Sequence, residues 1–198
     1  EWARRFAAFI REATPENLLA SSIYFDLRVV WGDESGCRQL RRGILEQVAD
    51  NRLFQRMMAD NALRHRPPVG RFREFVLERK GSDKATLDLK VQGLTPFVDG
   101  ARLLALANGV EANNTLERLR QLVALDVIEP LDGAAYEEAY HFIQQTRMQQ
   151  HQLQTRENRP YSNRVDPDNL NQLDRRILRE ALRQAQRLQS SLALRYQL

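Results

Sequence analysis

Helical periodicity is the feature that most constrains what this chain can fold into. Apolar residues recur three and four positions apart along most of the 198 residues, whereas the alternation typical of a half-buried strand is scarce. A helix with this spacing carries its apolar side chains on one stripe, which has to be buried against other helices. The sequence therefore predicts an all-α fold, an antiparallel helical bundle with long C-terminal helices.

Prolines, glycines and capping residues divide this pattern into separate helices. The N-terminal part is predicted to form three helices, over residues 2–13, from one of the capping residues 33–35 to about 49, and, after Asp50-Asn51, a shorter one to about 64. The remainder is predicted to form helices over residues 96–109, 116–125, 132–155 and 171–193. Between these groups we predict an amphipathic turn or helix over 71–79, a polar loop over 80–83 and an extended or irregular stretch over 87–90.

Two apolar patterns overlap in residues 19–30. Leu19, Ile23, Leu27 and Val30 fit the spacing of a helix, while alternate residues from Ile23 onwards fit a strand. We predict a helix here. On the final helix, the core stripe is predicted at Leu173, Ile177, Ala181, Ala185 and Leu188.

Composition narrows the class of protein. With 42% hydrophobic and 28% charged residues, the chain suits a compact globular domain. No apolar run approaches the roughly 18 residues of a membrane span, and the N-terminus lacks the apolar core of a signal peptide. The single cysteine, Cys37, can form no disulfide within the chain, which favours a reducing compartment. We expect a cytoplasmic protein without membrane association, and a natural chain that extends upstream because the helical pattern begins at Trp2 without an initiator Met.

The net charge of +4 raises the question of nucleic-acid binding. Four arginines of the last predicted helix lie on one face: Arg176, Arg179, Arg183 and Arg187. A platform for single-stranded nucleic acid requires aromatic residues between the basic ones, and none are present here. A charged helix face of this kind is usually solvated. Nucleic acid is therefore not the expected partner.

The common catalytic motifs are absent from the sequence. There is no phosphate-binding Gly-Lys-Ser loop, no Gly-rich dinucleotide turn, no His-Glu-x-x-His and no cysteine pair for zinc. Two of the three histidines, His141 and His151, lie about 15 Å apart along one predicted helix, too far to share an ion. We predict no catalytic residue and no metal site in this chain.

Two pairs of charged residues stand beside apolar ones and are candidates for substrate binding. Asp26 and Arg28 lie in the most hydrophobic stretch of the N-terminal region, so each needs a partner or a cleft, and a buried ion pair explains them equally well. Asp88 and Lys90 precede a predicted helix whose N-terminus, together with the lysine, suits a phosphate. A local salt bridge of the lysine is the alternative.

A third candidate is formed by Asn114, Thr115 and Arg118. These residues suit a helix cap followed by a surface arginine one turn later, and the same atoms could hold a nucleotide or an acidic side chain. The substrate-binding residues that the sequence suggests are thus Asp26, Arg28, Asp88, Lys90, Asn114, Thr115 and Arg118.

Five segments, in this order, resemble one known family: Ser22–Asp33, Thr86–Lys90, Val98–Leu106, Asn114–Leu119 and Asn163–Pro167. The family is the nucleotidyltransferase substrate-binding domain, first described as a domain of unknown function, and the resemblance covers about residues 18–190. More distantly, the run from Asp88 to Leu106 looks like the helical part of PII uridylyltransferases. Those enzymes carry an arginine-aspartate pair where Pro96-Phe97 stands here.

The resemblance implies the C-terminal part of a bacterial, cytoplasmic two-part enzyme that acts in signal transduction. Residues 1–17 are expected to be the tail of an upstream nucleotidyltransferase domain, and residues 18–198 the helical substrate-binding domain. Mg²⁺ and a nucleoside triphosphate would bind to the upstream domain, so this chain is expected to be inactive alone. The implied acceptor is a PII-like protein or another kind of acceptor, and the oligomeric state is open, a homodimer included.

Two other functions compete with this interpretation. One is a helical regulatory or dimerisation module that touches no substrate. The other is an RNA-acting bundle, for which Arg147 and His151 stand closer together than the corresponding motif requires.

Overall fold

Eight α-helices and one two-stranded sheet account for most of the residues that the structure describes. The structure is a computed structural model and describes residues 1–70, 75–76 and 86–198. The helices are α1 Trp2–Arg11, α2 Pro15–Tyr24, α3 Ser35–Ala49, α4 Arg52–Ala62, α5 Thr95–Ala107, α6 Thr115–Ala124, α7 Pro130–Arg156 and α8 Gln172–Tyr196. The strands are β1 Leu87–Asp88 and β2 Arg164–Val165. The predicted all-α bundle is confirmed, as are its long C-terminal helices, since α7 has 27 residues and α8 has 25.

The chain forms two compact units. Unit 1 consists of Glu1–Arg64, Val98–Gly133 and Leu192–Leu198, and unit 2 of His65–Phe97 and Ala134–Ser191. No helix in the described part of the chain is both long and apolar enough to cross a membrane.

In unit 1 an aromatic cluster joins the first helices. Phe25 lies between Phe6 of α1 and Phe54 of α4, with ring centroids 5.5 and 6.2 Å away. All three rings are buried, and aromatic pairs at these distances add to the free energy gained by burial alone. Phe25 is therefore an internal anchor for the chain that follows it.

The predicted helix over residues 19–30 is wrong beyond Tyr24. α2 ends there, and the chain from Phe25 to Glu34 contains no helix. The reason is tertiary, because Asp26 and the carbonyl of Leu27 bind side chains that are distant in the sequence. Those bonds outweigh the helical spacing of the apolar residues, two of which, Val30 and Ile23, are exposed.

In unit 2 the short sheet holds the start of the next helical segment. Leu87 pairs with Val165, and the amide of Leu89 donates to the carbonyl of Asn163 at 2.9 Å. The predicted extended stretch is confirmed for Leu87–Asp88, after which Leu89–Leu94 forms a π-helical turn. Gly93 is buried at this turn, where an added Cβ would come within 3.0 Å of Ile143.

The predicted core stripe of α8 is only partly right. Ala181, Ala185 and Leu188 are buried as expected, but Leu173 and Ile177 are exposed. Leu178, Leu182 and Leu192 are buried instead. Both stripes satisfy helical spacing, so periodicity alone does not choose between them. The predicted turn or helix over 71–79 lies outside the described residues except for Phe75 and Val76, and the predicted loop over 80–83 lies outside them entirely.

Candidate functional site

Asp26 is the centre of a charged cluster in unit 1. Its Oδ2 accepts hydrogen bonds from Nε and Nη2 of Arg102 at 3.1 and 2.8 Å, and its Oδ1 accepts one from Nη2 of Arg118. Arg102 also donates from Nη1 to Asp99 at 2.8 Å. We call these four residues the Asp26 cluster. It links the chain after α2 to helices α5 and α6.

The local sequence of α6 explains how Arg118 reaches this position. Asn114 caps the helix, because its side-chain oxygen accepts from the amides of Leu116 and Glu117 at 2.9 and 3.3 Å. One turn later, Arg118 points inward and donates from Nε to the carbonyl of Ala112 at 2.8 Å. Its side chain is only 2% exposed. The predicted cap is confirmed, whereas the prediction that Arg118 lies on the surface is wrong.

The charges of the cluster shift each other's protonation. Burial alone would raise the pKa of Asp26, but hydrogen bonds from Arg102 and Arg118 outweigh it and hold the pKa below its ordinary value of 3.8. Burial lowers the pKa of Arg118, and Asp26 opposes that effect. An arginine has a pKa far above neutrality, so both groups stay charged at pH 7. The cluster is therefore a network of ion pairs around two buried arginines.

The segment Phe25–Asp33, which we call the 25–33 loop, is held from the inside at several points. Besides the anchors at Phe25 and Asp26, the carbonyl of Leu27 accepts from Nη2 of Arg41 at 2.7 Å and from Nδ2 of Asn113 at 2.8 Å. At its end the side chain of Asp33 accepts from the amide of Ser35 at 3.2 Å. The bonds of Asp26 and Leu27 hold the start of the loop, Phe25–Leu27, against the rest of unit 1.

The outer side of the 25–33 loop is open to solvent. Arg28 is exposed, and Val30 and Trp31 are 90% and 94% exposed. The arginines that pair with Asp26 are Arg102 and Arg118, which are distant in the sequence, while its near neighbour Arg28 faces solvent. The loop combines an anchored start, Phe25–Leu27, with exposed side chains that follow it, which is an arrangement suited to a recognition segment.

A small cleft with a volume of about 10 Å³ lies beside the cluster in unit 1. It is lined by six residues of α2, α4 and α5: Leu18, Ser22, Met58, Asn61, Asp99 and Arg102. Pockets that enclose small molecules usually measure about 300–1,000 Å³. The cleft is thus too small for a nucleotide.

In unit 2 the structure uses Asp88 as a cap. Its Oδ1 accepts from the amides of Lys90 and Val91 at 2.9 and 2.8 Å, at the start of the π-helical turn. The phosphate hypothesis concerned a different N-terminus, that of the helix predicted to begin near Pro96, and the Asp88 carboxylate caps the turn that precedes this helix. Lys90 is exposed, and no ion pair of it is among those that the structure shows in its described part. Lys90 is the member of this pair whose charge faces solvent.

The site also contains residues that sequence reasoning missed. Three residues that were not candidates donate hydrogen bonds to the 25–33 loop: Arg102, Asn113 and Arg41. A fourth, Asp99, accepts a hydrogen bond from Arg102. A signal was available for two of them, because Asp99 and Arg102 stand three residues apart in α5, the most apolar of the helices that the structure describes. Charges at that spacing in a buried helix indicate an internal ion pair. Thr115, which was a candidate, is buried beside the cap.

Comparison with known proteins gives one match. Residues 52–196 match the model of a family described as "Putative nucleotidyltransferase substrate binding domain". Arg102, Asn113 and Arg118 lie inside this span, and the 25–33 loop lies before it. No curated protein and no solved structure matches the chain, so its similarity to PII uridylyltransferases is not shown. The match covers well over half of the residues, and the chain therefore belongs to the nucleotidyltransferase substrate-binding domain family.

Proposed function

We propose that this chain forms the acceptor-binding wall of a nucleotidyltransferase, whose catalytic domain belongs to the same protein. The observation that carries the proposal is the 25–33 loop, which is bonded to the protein on one side and presents Arg28 to solvent on the other. A loop held in advance loses little conformational freedom when a ligand binds, so its side chains can bind more tightly. The family description supports this role.

Arg28 is the residue of the loop that we propose to contact the acceptor. Its guanidinium carries a permanent charge and five N–H donors, which suit the carboxylates of a protein acceptor. Asp26 and Arg118 do not contact the acceptor in this proposal. The hydrogen bond between them positions the start of the loop. Lys90 of unit 2 is a second exposed cation for which we propose acceptor contact.

The rest of the proposal concerns the whole protein. Mg²⁺ and a nucleoside triphosphate would bind to the catalytic domain, where the metal supplies charge neutralisation for transfer of the nucleotide. Residues 1–17 would connect that domain to the substrate-binding domain over 18–198. We propose a bacterial, cytoplasmic signalling enzyme with a PII-like protein as the first acceptor to test.

The test is a transfer assay with the full-length protein, Mg²⁺, labelled nucleoside triphosphates and a panel of acceptors that includes PII-like proteins. Arg28→Ala should raise the KM for the acceptor roughly 10- to 100-fold, because a hydrogen bond to a charged group contributes about 1.5–3 kcal/mol. The kcat should stay unchanged. Arg38→Ala is the matched control, since Arg38 is an exposed arginine of α3 whose partner is Glu34 at 3.4 Å.

Two results would contradict the proposal. The first is no transfer to any acceptor of the panel. The second is transfer with the same kinetics in wild type, Arg28→Ala and Lys90→Ala, which would favour a regulatory or dimerisation module that touches no substrate.

A further inference from the structure

The carbonyl of Leu27 accepts two hydrogen bonds, and each donor comes from a different part of unit 1. Nη2 of Arg41, on α3, donates at 2.7 Å, and Nδ2 of Asn113, just before α6, donates at 2.8 Å. A carbonyl oxygen has two lone pairs, so both of them are in use. The donors lie 14 and 86 positions from Leu27 in the sequence, and two elements of the fold therefore converge on one backbone atom of the 25–33 loop.

This carbonyl belongs to the same peptide plane as the backbone nitrogen of Arg28. The peptide bond is planar, so the oxygen of Leu27 and the nitrogen and Cα of Arg28 move together. Two bonds that reach this oxygen, one from α3 and one from the segment before α6, fix the orientation of the plane. The Cα from which the Arg28 side chain extends is therefore held in place by Arg41 and Asn113.

The environment of Arg41 is not the one that stability alone favours. Its Nε is buried and has no hydrogen-bond partner in the described part of the chain, and its ion pair with Glu111 is long, at 3.9 Å. A buried donor without an acceptor lowers the stability of a protein, and such groups are tolerated mainly at functional sites. Asn113 follows Ala112, whose carbonyl is bonded to Nε of Arg118 at 2.8 Å, so the backbone that carries the second donor is held as well.

We propose that Arg41 and Asn113 are positioning residues for acceptor binding and that they act through Arg28. This inference rests on the proposed function, because it requires that Arg28 contacts the acceptor. A residue held in its binding position loses less conformational freedom when the ligand binds, so its contact is stronger. In this proposal neither Arg41 nor Asn113 touches the acceptor, and both act on the peptide plane that precedes Arg28.

The first measurement follows the mobility of position 28 itself. In the full-length protein a nitroxide is attached through p-acetylphenylalanine in place of Arg28, which leaves every cysteine unlabelled, and its electron paramagnetic resonance spectrum is recorded. Arg41→Ala and Asn113→Ala should each make the label more mobile, because one of the two bonds to the Leu27 carbonyl is lost. Arg42→Ala is the matched control, since Arg42 is the exposed neighbour of Arg41 on α3, and its spectrum should match that of the parent protein. Unchanged mobility in both test variants would overturn the inference.

The second measurement is the transfer assay. Arg41→Ala and Asn113→Ala should each raise the acceptor KM roughly three- to tenfold with kcat unchanged, because loss of its support weakens the Arg28 contact without removing it. In the Arg28→Ala background neither change should raise the KM further, since the residue through which both act is gone. A further increase in that background would indicate direct contact or a general structural role, and it would overturn the inference.

Together the two measurements separate this inference from the proposed function. If the label becomes more mobile in the test variants but Arg28→Ala does not change the acceptor KM, the proposed function fails and the positioning of residue 28 stands. If Arg28→Ala raises the KM while the label mobility and the KM of both test variants match those of their parent proteins, only the positioning role fails.

Discussion

Replacement of Asp26 by alanine removes the carboxylate that two buried arginines share. Three charge-assisted hydrogen bonds are lost, two from Arg102 and one from Arg118. Arg102 keeps its bond to Asp99, and Arg118 keeps its bond to the carbonyl of Ala112. The positive charge of Arg118 is then left in the interior without the carboxylate that balances it.

The expected loss of stability follows from this geometry. Removal of one partner from a buried ion pair costs about 3–5 kcal/mol. The Arg118 side chain is almost fully buried, but that of Asp26 is 26% exposed, so water reaches the site and the lower end of the range applies, about 3 kcal/mol. For a protein of this size that loss lowers the Tm by about 6–12 °C.

Urea and thermal denaturation followed by circular dichroism measure this loss. Asp60→Ala is the matched control, because Asp60 is exposed and pairs with Arg64 on the surface of α4 at 3.6 Å. Exposed pairs of this kind contribute about 0.2–1 kcal/mol. Equal losses in Asp26→Ala and Asp60→Ala would refute the claim that the Asp26 cluster stabilises the fold.

A double-mutant cycle tests the mechanism of the loss. Arg118→Met removes the charge that Asp26→Ala leaves unbalanced while it keeps an apolar side chain of similar length. We expect the double variant to be more stable than the sum of the two single losses predicts, since residues in direct contact do not act additively. Additive losses would show that the two side chains stabilise the protein independently.

Two further predictions concern stability. The contribution of Asp26 is complete above its ordinary pKa of 3.8 and is lost as the pH falls through its lowered value in the folded state, so the stability difference between wild type and Asp26→Asn should shrink in denaturation series below that pH. Gly133→Ala should cost about 1–3 kcal/mol, because the added Cβ would overlap Val123, whereas Gly43→Ala on α3 meets no atom within 4 Å and should gain up to about 1 kcal/mol of helix propensity. Denaturation of both glycine variants checks the sign of each change.

The helices were largely predictable because their signals are local. Asn114 caps α6 and Pro96 lies in the first turn of α5, as the sequence indicates. The failure at residues 25–30 has a different origin. Leu27 bonds to Arg41 and Asn113 through its backbone carbonyl, an atom that every residue carries and no sequence pattern marks.

The sequence indicated that some candidate residues need a partner, but it did not identify the partner. Asp26 was noticed because a charge among apolar residues is costly to bury, and Arg118 because it follows a helix cap; the structure shows that they are partners of each other. Their separation of 92 positions hides that pairing in a single sequence. Arg102 was missed although its spacing from Asp99 in an apolar helix pointed to an internal ion pair, because its bond to Asp26 spans 76 positions.

This outcome changes which residues are suited to contact a ligand. A buried polar residue stands out in a sequence because it must be satisfied, and the protein itself satisfies Asp26, Asp88, Asn114 and Arg118. Such residues contribute to a site indirectly, because they stabilise the backbone that carries it. The groups left over for a partner are those that their own protein does not use, above all Arg28 on the outer side of the 25–33 loop. A change at Asp26 should therefore alter transfer and stability together, while a change at Arg28 should alter transfer and leave the free energy of unfolding nearly the same.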